Sequence, residues 1–215
     1  MNNFFLAVTT ALLFLNVSAS AKDLTAAGKL VTTQANGRGS IPCITCHGAN
    51  GLGDAAAGFP RLAGMNAEYL AKQLRDFAGG TRNNAVMQPI AKALNPHEME
   101  DASNYYAAQD PKSTPAQIDA KLLEQGAHLA LIGNWEKSIP ACIQCHGFGA
   151  HGLGATFPAL AGQHARYIEA QIKAWKAGTR KSDPNGLMKG IAERLSEGEM
   201  KAVAAYLSSL KAASQ

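Results

Sequence analysis

Ile41-Pro42-Cys43-Ile44-Thr45-Cys46-His47-Gly48 returns in the second half of the chain as Ile139-Pro140-Ala141-Cys142-Ile143-Gln144-Cys145-His146-Gly147, with one residue added after the proline. Working outward, Gly51-Leu52-Gly53 returns as Gly152-Leu153-Gly154, and Phe59-Pro60-Arg61-Leu62-Ala63-Gly64 as Phe157-Pro158-Ala159-Leu160-Ala161-Gly162. Tyr69, Gln73 and Phe77 match Tyr167, Gln171 and Trp175, and Gly80-Thr81-Arg82 matches Gly178-Thr179-Arg180. Met87, Ile90, Leu94, Met99 and Tyr105 then match Met188, Ile191, Leu195, Met200 and Tyr206. Self-similarity on this scale means that one structural unit occurs twice.

The join falls in Gln109-Asp110-Pro111-Lys112-Ser113-Thr114-Pro115, where two prolines among small polar residues stop a helix. The expected organisation is a leader at 1–21, a first domain at 22–110 and a second at 111–215. Apolar residues recur at helical spacing over 67–78 and 165–177, and each run ends in glycine. Helices are also expected at 25–33 and 118–132, and after Pro96-His97-Glu98 and Ser196-Glu197. No stretch alternates convincingly as a strand, so the fold class is all-α.

Residues 1–21 carry no charged side chain, run apolar from Phe4 to Val17, and end in Ala19-Ser20-Ala21 before Lys22. That is the pattern of a secretory leader with its small-residue cleavage site. Asn2 and Asn3 stand where basic residues are usual, which leaves a retained anchor as the other reading, although the apolar run is short for a spanning helix. The expected location is the periplasm.

Composition is that of an ordinary folded protein, 47% hydrophobic and 17% charged. The net charge of +4 is uneven: residues up to Asp110 carry eight basic and eight acidic side chains, the remainder twelve and eight. The second half is therefore the better candidate for docking an acidic surface. Lys173, Lys176, Arg180 and Lys181 gather around one helix end, which could equally be plain solvation of that end. Nucleic-acid binding is a poor reading of so modest a charge.

Outside the cytoplasm paired thiols normally oxidise, so something must claim these four cysteines if they stay apart. Cys43-Ile44-Thr45-Cys46-His47 and Cys142-Ile143-Gln144-Cys145-His146 each have the spacing for covalent c-type haem. Two cysteines three apart on a short helical turn reach the two vinyl groups of one porphyrin, and the adjoining His47 or His146 faces the iron. A zinc site shared by all four cysteines and a pair of disulfides are the competing readings. Each repeat being complete alone speaks against the first.

The sixth iron ligand separates electron transfer from substrate binding. Met99 and Met200 sit on helical faces with other apolar residues and read as core. Met87 and Met188 lie in polar, aperiodic stretches after Gly-Thr-Arg and are the expected axial ligands. His97, His128, His151 and His164 face no histidine in the other repeat and read as surface or capping groups. Pro60 and Pro158 follow the motif histidines by thirteen and twelve residues. They either make a simple turn or offer a carbonyl to the histidine ring N–H, which would orient the ring and raise its basicity.

Taken together, the paired CxxCHG motifs, the FPxLAG segments, the Tyr-Gln-aromatic helix closing on Gly-x-Arg, the later methionine and the last helix bearing Tyr resemble the dihaem cytochrome c4 family over 22–210. The resemblance implies two tandem class I cytochrome c domains related by a pseudo-twofold axis, with haem propionates near one another at the interface. It implies two covalently bound haem c groups on Cys43, Cys46, Cys142 and Cys145, with His47 and Met87 on one iron and His146 and Met188 on the other. It also implies electron delivery toward a terminal oxidase. Met65 stands where the family's glutamine is expected, whereas Gln163 keeps it, and the loop from Cys145 to Phe157 is rearranged.

The expected function is periplasmic transfer of single electrons between respiratory donors and a terminal oxidase or other acceptor, by a monomer that is not an enzyme. Its expected partners are redox proteins, an electron donor and a terminal oxidase or other acceptor, and they offer a route to peripheral membrane association. The alternatives are a cytochrome subunit docked on a dehydrogenase, such as a flavoprotein sulfide dehydrogenase, and a dihaem peroxidase or thiosulfate-oxidising enzyme. The last needs an open or non-methionine position on one iron.

Overall fold

The computed structural model describes residues 21–112 and 118–214; the leader and the middle of the linker lie outside them. Each half contributes five α-helices in the same order. The first has α1 (Ala21–Thr33), the short α2 (Ile44–His47), α3 (Ala67–Gly79), α4 (Met87–Lys92) and α5 (Pro96–Ala107). The second has α6 (Ala120–Leu131), α7 (Ile143–His146), α8 (Ala165–Lys176), α9 (Leu187–Arg194) and α10 (Glu197–Ser209). Among the described residues, strand pairing is confined to isolated bridges and a two-stranded hairpin in the second half, where β1 (Gly133–Asn134) pairs antiparallel with β2 (Ile139–Pro140).

The starts of the last helices follow from local chemistry. Asn95 accepts from the Glu98 N–H while the Glu98 carboxylate accepts from the Asn95 N–H, and Ser196 and Glu199 repeat this reciprocal cap. Pro96 in the first turn loses no helical hydrogen bond there.

In both halves the first and last helices cross, α1 on α5 and α6 on α10. A glycine sits at each crossing. A Cβ at Gly28 would collide with the Asp101 carbonyl and the Tyr105 side chain, and one at Gly126 with the Ala202 carbonyl and the Tyr206 side chain. Only a residue without a side chain lets the two backbones approach this closely.

Buried apolar residues group differently in the two halves. In the second half Leu129, Ile168, Ile172, Met200, Val203 and Leu207 form one buried cluster. In the first, the buried cluster is Met65, Leu70, Tyr106 and Ala159, the last supplied by the other domain. Met99 and Met200 are buried in their helices, as their periodicity suggested.

Candidate functional site: two cysteine–histidine turns and the interface between them

Each CxxCH segment folds as a single helical turn. Cys43 caps α2 and Cys142 caps α7, and the histidine N–H returns to the first cysteine's carbonyl at 3.0 Å and 2.9 Å respectively. Burial pushes the Cys43 and Cys142 thiols up to about 11, the opposite of what a reactive dithiol or a thiolate metal site needs.

His47 and His146 are buried at the ends of these turns. The Nδ1 of His47 lies 3.2 Å from the Pro60 carbonyl oxygen, and that of His146 lies 2.8 Å from the Pro158 carbonyl oxygen. A carbonyl only accepts, so Nδ1 carries the proton and donates it, which leaves the Nε2 lone pair free. Burial lowers the pKa of both rings, against the opposing pull of the proline carbonyls, and keeps them in the neutral form that binds metal.

Cys43, Cys46, His47, Pro60 and Met87 line one cleft of about 420 Å³, together with Tyr69 and Phe77. Met87 was expected in an aperiodic stretch; instead it is the first residue of α4, its N–H held by the Asn84 side chain at 2.8 Å. Met188 is the second residue of α9, and its N–H donates to Asp183. Both side chains are half-buried. Helices of six and eight residues, about two turns each, give too short a period to be read from sequence.

The cleft continues to the domain interface, where Gln163, Tyr167, Gln171 and Arg180 of the second half join its lining. Two short backbone bonds cross there, from the Asn83 N–H to the Thr179 carbonyl at 2.8 Å and from the Lys181 N–H to the Thr81 carbonyl at 2.6 Å. They place Arg82 opposite Arg180. Arg82 donates to Gln73 of its own domain and to Tyr167 and Gln171 of the other. Arg180 mirrors this, donating to Gln171 and to Tyr69 and Gln73. Each guanidinium also stacks on an aromatic ring, Arg82 at 4.4 Å from the Phe77 centroid and Arg180 at 3.8 Å from that of Trp175.

Two guanidiniums are thus buried with only neutral acceptors. Burying charge without a counter-charge is costly, and carboxylates of a bound group answer it. The buried indole N–H of Trp175 likewise has no protein acceptor. Free Nε2 atoms, paired cysteines on each turn and these donors without anions together fit a porphyrin carrying propionates.

The basic cluster expected at the end of α8 is broken up by the fold. Arg180 is buried at the interface, Lys173 pairs with Glu197 at 3.1 Å, and Lys176 donates to the Leu195 carbonyl. Of the four, Lys181 alone is exposed without a side-chain partner already named. Among the histidines read as surface or capping groups, His164 stands at the N-cap of α8, and its ring meets the Phe59 carbonyl across the interface at 2.9 Å.

The departures from symmetry converge on one spot. Gln163 accepts from the Arg61 N–H and donates to the Arg61 carbonyl, both at 2.9 Å. The Arg61 guanidinium, 1% exposed, donates to the carbonyls of Ala161 at 3.0 Å, Gly162 at 3.4 Å and Ala63. Burial lowers its pKa to about 10, which leaves it charged at neutral pH. The mirrored positions hold Met65 and Ala159, which belong to one buried apolar cluster. Sequence comparison flags Met65 and Gln163 as unequal but gives no sign that Arg61 is the partner.

The protein family whose model matches is described as "Cytochrome c", over residues 26–120 and 136–211. A thiosulfate dehydrogenase electron acceptor from Thiomonas intermedia is 54% identical over 166 residues, 77% of this chain and 76% of the relative. A solved thiosulfate dehydrogenase from Marichromatium purpuratum superposes with a TM-score of 0.81 at 40% identity, covering 86% of this chain and 40% of that longer one. Reduced cytochrome c4 from Pseudomonas stutzeri superposes with a TM-score of 0.75 at 30% identity, covering 90% of this chain and all of that one. With the two CxxCH turns, this similarity gives the protein two covalently bound haem c groups, on Cys43 and Cys46 and on Cys142 and Cys145. The chain belongs to the cytochrome c family and, within it, to the dihaem cytochromes c4, as two tandem class I domains about a pseudo-twofold axis.

Proposed function

We propose that this protein is a periplasmic one-electron carrier that takes electrons from a thiosulfate-oxidising dehydrogenase and hands them to a terminal oxidase or other acceptor, without being an enzyme itself. The observation that carries the reading is the pairing of two matched His–Pro turns with likeness to relatives named as thiosulfate dehydrogenase electron acceptors. The domains run over 22–110 and 111–215, and residues 1–21 serve as the export leader. No helix among the described residues is long and apolar enough to cross a membrane.

The iron ligands are His47 with Met87 and His146 with Met188. Bound haem supplies a centre that changes charge by one unit with little movement of its ligands. The chain does the rest. Pro60 and Pro158 hold the imidazoles in one tautomer and raise their basicity. Arg82 and Arg180 would neutralise the propionates of the bound groups. Two one-electron sites on one chain suit a donor whose substrate gives up electrons in pairs.

The second domain is the better docking face. It carries the net +4 and exposes Trp135 and Phe148 on either side of its cysteine turn in the chain. Phe148 is 93% exposed, and an aromatic side chain so placed is the kind that anchors interfaces.

The test mixes the oxidised dihaem protein with a purified thiosulfate dehydrogenase and thiosulfate in a stopped-flow spectrometer. Reduction of both haems at a rate that depends on both the enzyme and thiosulfate supports the reading. Reduction no faster than by thiosulfate alone, while a generic donor reduces both haems promptly, overturns the partner and keeps the carrier. Turnover of thiosulfate by this protein alone would make it an enzyme.

A further inference from the structure

We propose that Arg61 is a potential-setting residue for the first haem: its buried positive charge raises that site's reduction potential relative to the second, and so fixes on which half of the molecule an electron rests.

Arg61 follows Pro60, whose carbonyl holds the His47 ring, and lines the same cleft as His47 and Met87. Its guanidinium is held by three carbonyl oxygens, those of Ala63, Ala161 and Gly162, with no carboxylate among these partners. The charge is therefore fixed in place and not cancelled by a protein anion. In a medium of low dielectric a fixed positive charge acts over many ångströms. Reduction lowers the iron's positive charge by one unit, so a nearby cation favours the reduced state.

The other buried cations cannot set the two sites apart in this way. Arg82 and Arg180 occupy matched positions with matched partners, one contributed by each domain. Arg61 has Ala159 at its mirrored place, so the second site lacks its equivalent. The inference rests on the haem sites and does not depend on the identity of the electron donor.

The experiment is a spectroelectrochemical titration of the holoprotein as wild type, Arg61→Met and Arg61→Lys. NMR contacts from each haem to its own cysteines tell the two sites apart. Arg61→Met keeps the main-chain bonds to Gln163 and removes the charge together with the three bonds to the Ala63, Ala161 and Gly162 carbonyls, and Arg61→Lys, which keeps the charge with a different donor geometry, separates the two effects. The expected result is a fall of about tenfold in the reduced-to-oxidised ratio of the first haem at fixed potential, about 59 mV for one electron. The second haem should change much less, and Arg61→Lys should stay near wild type. An unchanged first site overturns the proposal. So does an equal shift at both haems, or a lysine variant as low as the methionine one, because either marks a packing effect.

Discussion

Gln163 and Arg61 close a ring of two hydrogen bonds between the domains, each 2.9 Å long, with the glutamine amide acting on the arginine main chain as a neighbouring strand would. Both residues are buried. Replacing Gln163 by leucine leaves a buried N–H and a buried carbonyl without partners, at about 1–3 kcal/mol. Guanidinium denaturation of the holoprotein should show that loss. Met65→Gln, by contrast, puts an amide into an apolar cluster and should cost less only through main-chain bonds to Ala159 like those Gln163 makes to Arg61.

Gly28→Ala and Gly126→Ala should each push a helix crossing apart. Backbone atoms of Asp101 and Ala202 occupy the space a methyl group would need, so the expected cost is about 1–3 kcal/mol per site. Thermal unfolding followed by circular dichroism measures it, with Gly198→Ala, a helical position whose Cβ meets nothing, as the control that should lose no stability.

Met87→Ala and Met188→Ala should each remove one of two weak far-red methionine-to-iron bands from the oxidised spectrum. Each variant should then bind cyanide readily at one haem and not the other. Loss of both bands in one variant would break the one-to-one assignment.

Glu199 caps α10 and pairs with Lys137 at 2.8 Å; burial pushes its carboxyl up, but the bonds to Lys137 and Ser196 together outweigh it and hold the carboxyl at about 2. Its folded pKa lies below the ordinary value of 4.5, so the folded state binds fewer protons than the unfolded one in that window. The stabilisation is complete above 4.5 and drains away as pH falls toward 2. Glu199→Gln should be less stable than wild type at pH 6, and the gap should narrow on acidification.

Phe148→Ser should slow reduction of the protein by its donor about three- to tenfold while leaving both potentials unchanged, since truncating an aromatic anchor typically costs about 1–2 kcal/mol. Added salt should slow the wild type as well, if the cationic second half steers the encounter.

Much of this was legible in the chain. The duplication, the helical content, the CxxCH turns and the His–Pro spacing all lie in local sequence, and the ring-to-carbonyl bonds appear where the spacing put a carbonyl. What stayed hidden depends on how the halves face one another. His164 read as a surface or capping group; it does stand at the N-cap of α8, but its ring's acceptor, the Phe59 carbonyl, is distant in sequence and could not be foreseen. Arg180 read as part of a basic patch because nothing in α8 says that its end is covered. The crossing glycines, Gly28 and Gly126, stand out only once one knows which helices touch.

The exchanged bonds of Asn83 with Thr179 and of Lys181 with Thr81 have the form of a contact between two copies of one chain, in which whatever one copy offers the other returns. A pair of identical subunits could build that contact, but it could not build the Arg61–Gln163 ring without placing an arginine and a glutamine on both sides. Joining the copies end to end removed that constraint. Covalent linkage, in this molecule, is what allows a twofold assembly to have a direction.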